Sequence, residues 1–342
     1  MQSRLEPIDW LRGIAASWVL VYHCNIVIQK GKYFAAPSLG VLAEAGHRGV
    51  DLFFVLSGFI MFATFRISPG GRLMGTRNFL IRRFFRIFPI YWITLAALVG
   101  AGAALAMPAL EGTGYNVLAN IFLLPRDDLT TYVPVVAWTL THELMFYLIF
   151  STAYLSRWLC GSLLLAWAMV AIYSYFHMPP PGWQMQTSLL NCYFLVGIGA
   201  AILAPRVRNQ PGLTIFAGLL LLVFAIALEP PGEVVKADLS LKMLCYALGF
   251  AGLIMGISQL DVAQRQPWHT PLRVLGRQSY SLYLLHYPIV IVFALVLSRL
   301  GLPYWLLLPL AFAASFVASW IAYRLVEAPA VNLGRRLSRT AG

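Results

Sequence analysis

Apolar residues dominate this chain in long runs, and polar or charged residues interrupt the runs at intervals. A membrane-spanning helix needs about 20 largely apolar residues, and ten segments meet that description. They lie at 8–28, 49–66, 87–107, 134–155, 158–176, 186–204, 213–228, 239–258, 278–298 and 304–326. A further apolar run, 115–124, is too short to span and is expected at the interface or as a re-entrant segment. The pattern predicts an all-α integral membrane protein with about ten transmembrane helices in one bundle.

The composition agrees with lipid as the solvent of this chain. Hydrophobic residues make up 60% of the 342 positions and charged residues 11%, whereas a soluble domain is about half apolar and about a quarter charged. Mean hydropathy is +0.74. These values exclude a disordered chain and argue against an ordinary soluble enzyme. The four cysteines are scattered without CxxC spacing, so neither a disulfide framework nor a zinc site is predicted.

The net charge of +12 favours basic loops on one side of a membrane over a nucleic-acid partner. With the N-terminus placed inside, 17 Lys and Arg residues fall on the inner side and 7 on the outer side. Cytoplasmic loops carry such an excess of Lys and Arg. We therefore expect both termini in the cytoplasm. We also expect one transmembrane domain over 1–342, with no appended soluble domain.

Ionisable residues inside the apolar segments are the first candidates for function, because each is costly in lipid. Arg12 and His23 lie eleven residues apart in the first segment. Eleven steps of about 100° return to within about 20° of the same helix face, so both side chains are expected on one stripe facing the bundle interior. Asp9 lies three residues before Arg12, where the two can pair. The alternative is a membrane-entry ion pair with a hydrogen-bonded core histidine.

Four further polar residues of the apolar segments are candidates. Asp51 begins the second segment on the same side as His23, where it is either solvated or orients a protonated imidazole. Ser57, in the same segment, is either part of a site or one of the small residues that permit close helix packing. Glu143 in the fourth segment needs a partner such as an interior histidine or arginine. His286 lies inside the ninth segment.

Arg82, Arg83 and Arg86 lie among aromatic residues just before the third segment. They occupy positions i, i+1 and i+4 and therefore crowd one side of a helix. Such a cluster either holds anionic lipid headgroups or binds a phosphorylated cytoplasmic ligand through bidentate contacts. No metal is expected, because the HExxH pattern of zinc peptidases is incomplete after His142.

Six groups of residues follow one another in a fixed order along the chain. They are Ile8–Gly13 with His23; Gly49–Gly58; Arg83 and Arg86 with Pro89 and Tyr91; Trp138–Leu140 with Glu143, Phe146 and Tyr147; Gly276 with Ser279–His286; and Glu327 with Pro329. Together they resemble the acyltransferase 3 family of bacterial inner-membrane acyltransferases, over nearly the whole chain. The chain departs from that pattern at Trp10, where glycine is usual, and at Thr141–His142. Its length is expected to leave no room for the added extracytoplasmic hydrolase domain of some members, so it resembles the short exopolysaccharide O-acetyltransferases.

The resemblance implies transfer of an acyl group, acetyl by default, from cytoplasmic acyl-CoA to a hydroxyl of a cell-surface polysaccharide or lipid-linked glycan. For that reaction we expect His23 to act as general base and Arg12 to stabilise the thioester oxyanion or guide the donor. Asp51 or Glu143 is expected to support His23. The cluster of Arg82, Arg83 and Arg86 is expected to hold the CoA phosphates at the bacterial inner membrane. The expected partners are membrane lipid and the glycan acceptor. A nucleic-acid partner is not expected.

Two other classes of protein remain open from the sequence. A secondary transporter or glycan flippase would use the same intramembrane charges as a proton or substrate path. Against it, the chain shows no two-fold repeat and no paired broken helices. A structural membrane protein has no reason to carry so many costly ionisable groups. Within the enzyme class, succinyl and longer acyl chains are the alternatives to acetyl.

Overall fold

The computed structural model describes residues 6–65, 71–104, 114–229, 240–260 and 269–338, and within these ranges it contains helices, turns and loops but no strand. Short 3₁₀ turns join several of the helices. The helices are α1 (Glu6–Gln29), α2 (Val41–Glu44), α3 (Gly49–Thr64), α4 (Arg72–Ala104), α5 (Gly114–Phe122), α6 (Trp138–Ser151), α7 (Arg157–Phe176), α8 (Cys192–Leu203), α9 (Pro211–Ala227), α10 (Leu241–Ser258), α11 (His269–Arg277), α12 (Ser279–Arg299), α13 (Leu307–Ala322) and α14 (Ala328–Leu337).

Nine helical segments of the described residues are long and apolar enough to cross a membrane. They are Pro7–Gln29, Val41–Thr64, Arg72–Ala104, Val135–Tyr154, Arg157–Phe176, Leu189–Val207, Leu241–Ser258, Ser279–Arg299 and Tyr304–Leu337. A tenth helix, Pro211–Ala227, is apolar but shorter. These ten elements overlie the ten apolar segments of the sequence, so the all-α membrane fold is confirmed. The run at 115–124 forms α5, a helix of 9 residues. The orientation of the termini stays a prediction.

The contacts divide the chain into two compact units, and the first comprises Met1–Thr64 and Cys192–Trp320. In this unit α1 packs against α3, α11 and α12, α3 packs against α8, and α9 packs against α10. Small residues permit the close approach of α3 and α8, because a Cβ atom on Gly58 would lie 3.1 Å from the Cα of Phe194. The expectation of a single domain did not anticipate two units, and for the whole chain it stays a prediction.

The segment before α12 and α12 itself run parallel to α1 in the first unit. A Cβ atom on Gly13 would lie 2.9 Å from the backbone nitrogen of Gly276. Ten residues after Gly13 and ten residues after Gly276, His23 contacts His286. Apolar side chains fill the space between these contacts and continue beyond them toward α13. The register of α1 against α12 is therefore the feature that brings the two histidines together.

The second unit comprises Phe65–Asn191 and Ile321–Gly342. In it α4 packs against α6 and α14, and α6 packs against α7. Helix α4 has 33 residues, which at 1.5 Å per residue is about 50 Å, longer than the roughly 30 Å hydrocarbon core of a bilayer. Its arginine-rich first half therefore extends beyond the apolar stretch that begins at Ile87. Near the C-terminus, Tyr323–Glu327 forms a π-helical turn, a feature frequent at functional sites.

Candidate active site

Two histidines of the first unit, one on α1 and one on α12, are in hydrogen-bond contact. His23 Nδ1 lies 3.1 Å from His286 Nε2, and the two ring centroids are 4.9 Å apart. Tyr287 packs with its edge against the His23 ring. His286 is fully buried, whereas His23 keeps part of its surface accessible. The sequence identified both residues as candidates but did not predict that they form a pair.

The backbone of its own helix anchors each ring. His286 Nδ1 is 2.7 Å from the carbonyl oxygen of Tyr283 and 3.2 Å from that of Leu282. His23 Nδ1 is 2.9 Å from the carbonyl oxygen of Val19. These contacts leave His23 Nε2 as the ring nitrogen of the pair that makes no hydrogen bond to the described part of the chain. An accessible imidazole held in this way can accept a proton from a hydroxyl group.

Asp51, on α3, lies beside a cation other than the one expected. Its buried carboxylate is 3.4 Å from Nη1 of Arg48. The Nη2 atom of Arg48 is 2.9 Å from Glu229, so one buried guanidinium joins two carboxylates. From the sequence, Asp51 was either solvated or one of two carboxylates able to support His23, whereas in the structure Asp51 is buried beside Arg48 and His23 contacts His286. Asp51 therefore belongs to a buried ion network in the first unit.

His47 and Tyr246 complete this network around Glu229. His47 Nε2 lies 3.2 Å from Oε1 of Glu229, and the Tyr246 hydroxyl donates a hydrogen bond to Oε2 at 2.9 Å. The Arg48 guanidinium lies over the Tyr246 ring, 5.0 Å from its centroid. Burial by itself raises the pKa of Glu229, but the close contact with His47, the hydrogen bond from Arg48 and the Arg48 charge outweigh it and hold the pKa well below its usual range. Glu229 is therefore ionised at neutral pH.

Asp9 and Arg12 lie near the start of α1, and both are half-buried. The backbone of Asp9 packs closely against Gly276. Arg12 is eleven residues from His23, which corresponds to roughly 16 Å of helix axis. That separation is longer than an arginine side chain, so Arg12 does not reach the His23 ring. Ser57 is half-buried on α3.

In the second unit, Glu143 accepts a hydrogen bond from the Tyr147 hydroxyl one turn later on α6. The guanidinium of Arg83 lies over the same tyrosine ring, 5.3 Å from its centroid, a favourable arrangement of cation and aromatic face. Glu143, Tyr147 and Arg83 thus form a continuous chain of contacts. His142, although adjacent to Glu143, points elsewhere, and its Nδ1 lies 2.7 Å from the amide oxygen of Asn191.

The three arginines of α4 have different partners. Arg86 Nη1 is 3.2 Å from Glu327, whose side chain is fully buried. Arg82 interacts with the hydroxyl of Tyr154. Arg83 has aromatic contacts but no acidic partner within the described ranges. Arg82 and Arg83 therefore keep guanidinium donors suited to phosphate, while Arg86 is engaged by a carboxylate.

Each unit has its own chemistry: the first carries a base, His23, and the second carries a group of cations on α4. In the residues that the structure describes, no three His, Cys, Asp or Glu side chains converge as metal ligands would. The chemistry available from these side chains is proton transfer at His23 and anion binding at the arginines of α4.

Comparison with known proteins identifies the family. Residues 6–324 match the family model of the acyltransferase domain. The chain belongs to the acyltransferase 3 family. This acyltransferase is 27% identical over 341 residues to the exopolysaccharide production protein ExoZ of Rhizobium meliloti. The match covers 91% of the chain and 97% of ExoZ. No solved structure matches it.

A second relative is longer than this acyltransferase. The peptidoglycan O-acetyltransferase OatA of Listeria monocytogenes is 24% identical, and the match covers 95% of the chain but 55% of that protein. The chain therefore spans about half the length of that relative. The family match confirms the resemblance drawn from the six groups of residues and makes this chain an acyltransferase with a multi-pass helical fold. The roles of its individual residues stay predictions.

The buried network around Arg48 is the main feature that sequence reasoning missed. Arg48 directly precedes the apolar segment that begins at 49 and therefore looks like one of the seven charges of the outer loops, whereas its side chain is fully buried. One local signal existed, because Asp51 lies three residues after Arg48, a spacing at which helical side chains pair. Glu229 is 181 residues further along the chain, so only the fold brings it to the same guanidinium.

Proposed function

We propose that this acyltransferase moves an acyl group, acetyl by default, from cytoplasmic acyl-CoA to a hydroxyl of a cell-surface polysaccharide or lipid-linked glycan. The family supplies the reaction class. ExoZ is named for exopolysaccharide production and OatA for peptidoglycan O-acetylation, and both names support a glycan acceptor. The observation that carries the proposal is the accessible ring of His23, held against the buried His286 on the neighbouring helix.

In this reaction His23 acts as the general base. Nε2 of His23 takes the proton of the acceptor hydroxyl while the acceptor oxygen attacks the thioester carbonyl carbon. The carbon–sulfur bond breaks, and the CoA thiolate leaves and takes up the proton from the imidazolium. Atoms and charge balance without a further reactant. The products are an O-acyl glycan and free CoA.

Arg12 guides the donor rather than stabilising charge beside the base. Its distance along α1 from His23, roughly 16 Å, is too great for it to contact an oxyanion that also contacts His23. The half-buried guanidinium of Arg12 sits near the N-terminal end of α1, the end that the charge distribution assigns to the cytoplasm. An anionic or polar part of acyl-CoA is the ligand that suits it.

The arginines of α4 hold the CoA phosphates in this proposal. Arg82 and Arg83 supply the donors, because guanidinium groups bind phosphate oxygens in pairs. Arg86 keeps the terminal segment in place through Glu327 in addition to adding positive charge. Glu143 supports the cluster through Tyr147, whose ring lies under Arg83.

An assay with purified protein tests the proposal. Wild type, His23→Ala and His177→Ala are reconstituted in lipid vesicles and supplied with acetyl-CoA and an oligosaccharide from the producing organism's own envelope. His177 is an exposed histidine stacked on Tyr173, so its variant is the matched control. Loss of the base is expected to slow transfer about 10²- to 10⁴-fold, with the control unchanged. Full transfer by His23→Ala contradicts the base assignment. Movement of the glycan across the vesicle without acylation favours the flippase instead.

The proposed topology is tested separately. Reporters fused after the last residue and into the loop at 30–40 are compared in intact cells of a bacterial host. The excess of Lys and Arg predicts a cytoplasmic reporter at the C-terminus and an external one in that loop. A C-terminal reporter found outside contradicts the orientation, and with it the entry of acyl-CoA at Arg82 and Arg83.

A further inference from the structure

We propose that His286 is a positioning residue: it accepts a hydrogen bond from the Nδ1–H group of His23, which leaves Nε2 of His23 as the free base, and it stabilises the imidazolium that forms. The inference rests on the proposed acyl transfer. It assigns to a neutral imidazole the role that a carboxylate takes in the Ser-His-Asp triad.

The contacts of His286 fix its own proton. Its Nδ1 lies 2.7 Å from the carbonyl oxygen of Tyr283 and 3.2 Å from that of Leu282. Carbonyl oxygens only accept hydrogen bonds, so Nδ1 of His286 must carry the hydrogen. In a neutral imidazole the other nitrogen then has a lone pair. Nε2 of His286, which faces His23, is therefore an acceptor.

The same reasoning fixes the proton of His23. Its Nδ1 lies 2.9 Å from the carbonyl oxygen of Val19 and 3.1 Å from the acceptor nitrogen of His286. Both neighbours are acceptors, so Nδ1 carries a hydrogen that the two share. Nε2 of His23 is left with its lone pair. Because His23 is the partly accessible histidine of the pair, its Nε2 atom is the one assigned to the substrate hydroxyl.

Burial separates the roles of the two rings. His286 is fully buried, so it does not touch the acceptor. When Nε2 of His23 takes up the acceptor proton, the Nδ1–H bond to His286 becomes a charge-assisted hydrogen bond, which is about twice as strong as a neutral one. His286 keeps its own protonation state throughout, and the proton leaves His23 with the CoA thiolate.

A neutral acceptor suits this position better than a carboxylate. An ionised carboxylate buried in an apolar interior needs a paired cation, and Asp51 in the same unit has one in Arg48. His23 is neutral before the reaction and offers no such charge. As a neutral group, His286 accepts a hydrogen bond from His23 at rest and stabilises the imidazolium when its charge develops. The resting enzyme therefore carries no unpaired anion beside His23.

Three substitutions of His286 separate positioning from proton transfer. The amide oxygen of His286→Gln reaches the place of Nε2 and still accepts from His23, whereas the shorter His286→Asn reaches only the place of Nδ1. His286→Ala provides neither group. We expect His286→Ala and His286→Asn to lower kcat about tenfold to hundredfold, as for the loss of one hydrogen bond to a charged group. We expect His286→Gln to retain most of the wild-type kcat. The KM for acetyl-CoA should change less than about twofold in all three.

Each outcome of this series decides the proposal. If His286→Gln is as slow as His286→Ala while protein abundance and thermal unfolding match wild type, His286 itself transfers a proton and the positioning role is wrong. If His286→Ala retains the wild-type kcat, His286 has no part in the reaction. If His286→Ala does not fold, the difference in kcat between His286→Gln and His286→Asn still tests the positioning role. His23→Ala is measured alongside, and full activity of that variant contradicts the proposed base without bearing on the order of the His286 variants.

Discussion

Replacement of Arg48 by methionine tests whether the buried network of Arg48, Asp51 and Glu229 stabilises the fold. Arg48, Asp51 and Glu229 have side-chain exposures of 0%, 0% and 1%, so solvent screens none of them. At an effective dielectric constant of about 20, the contacts of 2.9 Å and 3.4 Å correspond to gross attractions of about 6 and about 5 kcal/mol. Desolvation of the guanidinium offsets much of this. Removal of one partner from a buried pair typically costs about 3–5 kcal/mol, and we expect that loss in the free energy of unfolding.

Denaturant unfolding in detergent micelles measures this loss against two further variants. Arg299→Met removes an exposed arginine and is expected to change stability by no more than about 0.5 kcal/mol. The triple variant Arg48→Met/Asp51→Asn/Glu229→Gln carries no unpaired charge and should recover most of the loss. A loss below about 1 kcal/mol for Arg48→Met would refute the structural reading. Asp51→Asn that abolishes acyl transfer at unchanged stability would return Asp51 to the reaction itself.

The same network predicts a pH dependence. Because the pKa of Glu229 is lowered in the folded protein, its ionisation stabilises the fold fully at pH 7. That contribution declines only below the ordinary glutamate pKa of about 4.3 and is lost as the pH falls toward the folded value. The difference in unfolding free energy between wild type and Glu229→Gln should therefore be constant from pH 7 to 5 and smaller at pH 3. A difference that grows on acidification contradicts the assignment.

Two further predictions concern the arginines and the packing of α3. Arg83→Ala should raise the KM for acyl-CoA about tenfold to hundredfold, as for one lost charge-assisted contact. Arg86→Ala should mainly destabilise the fold, and Arg86→Met/Glu327→Gln should restore it; equal effects of both arginines on KM would contradict the distinction. Gly58→Ala should cost about 1–3 kcal/mol by overpacking. Gly199→Ala should be neutral or stabilising, because the added methyl group would meet no neighbouring element of the described ranges within 4 Å. Equal unfolding midpoints for the two alanine variants would refute the close approach of α3.

The apolar segments were predictable because helices in lipid must satisfy their own backbone. Ten segments of the sequence became ten helical elements. The seventh, Pro211–Ala227, begins two residues before and ends one residue before the predicted segment 213–228. The length of α4 was not predicted, because its first half is a polar, arginine-rich helix that leads into the apolar one.

The candidate residues were predictable, and their partners were not. Helix periodicity places Arg12 and His23 on one stripe, but the register of α1 against α12 decides that His23 contacts His286. The expectation that Asp51 orients His23 rested on their shared side of the membrane. That expectation did not include Arg48, the cation that contacts Asp51, because one sequence does not distinguish a buried arginine from a loop arginine. Pairings between distant segments depend on packing, which local patterns do not encode.

The measurement that tests the central claim most directly is made on the product in cells. A strain without this acyltransferase is supplied with wild type or His23→Ala at equal membrane abundance, and its purified surface polysaccharides are examined by proton NMR for O-acyl signals. The account predicts that the signals return with wild type and not with His23→Ala, and the signals then identify the acyl group and the acceptor. Equal restoration by both proteins would contradict His23 as the base. Absence of O-acyl signals with either, together with lost polysaccharide export, would contradict acyl transfer and favour a transporter.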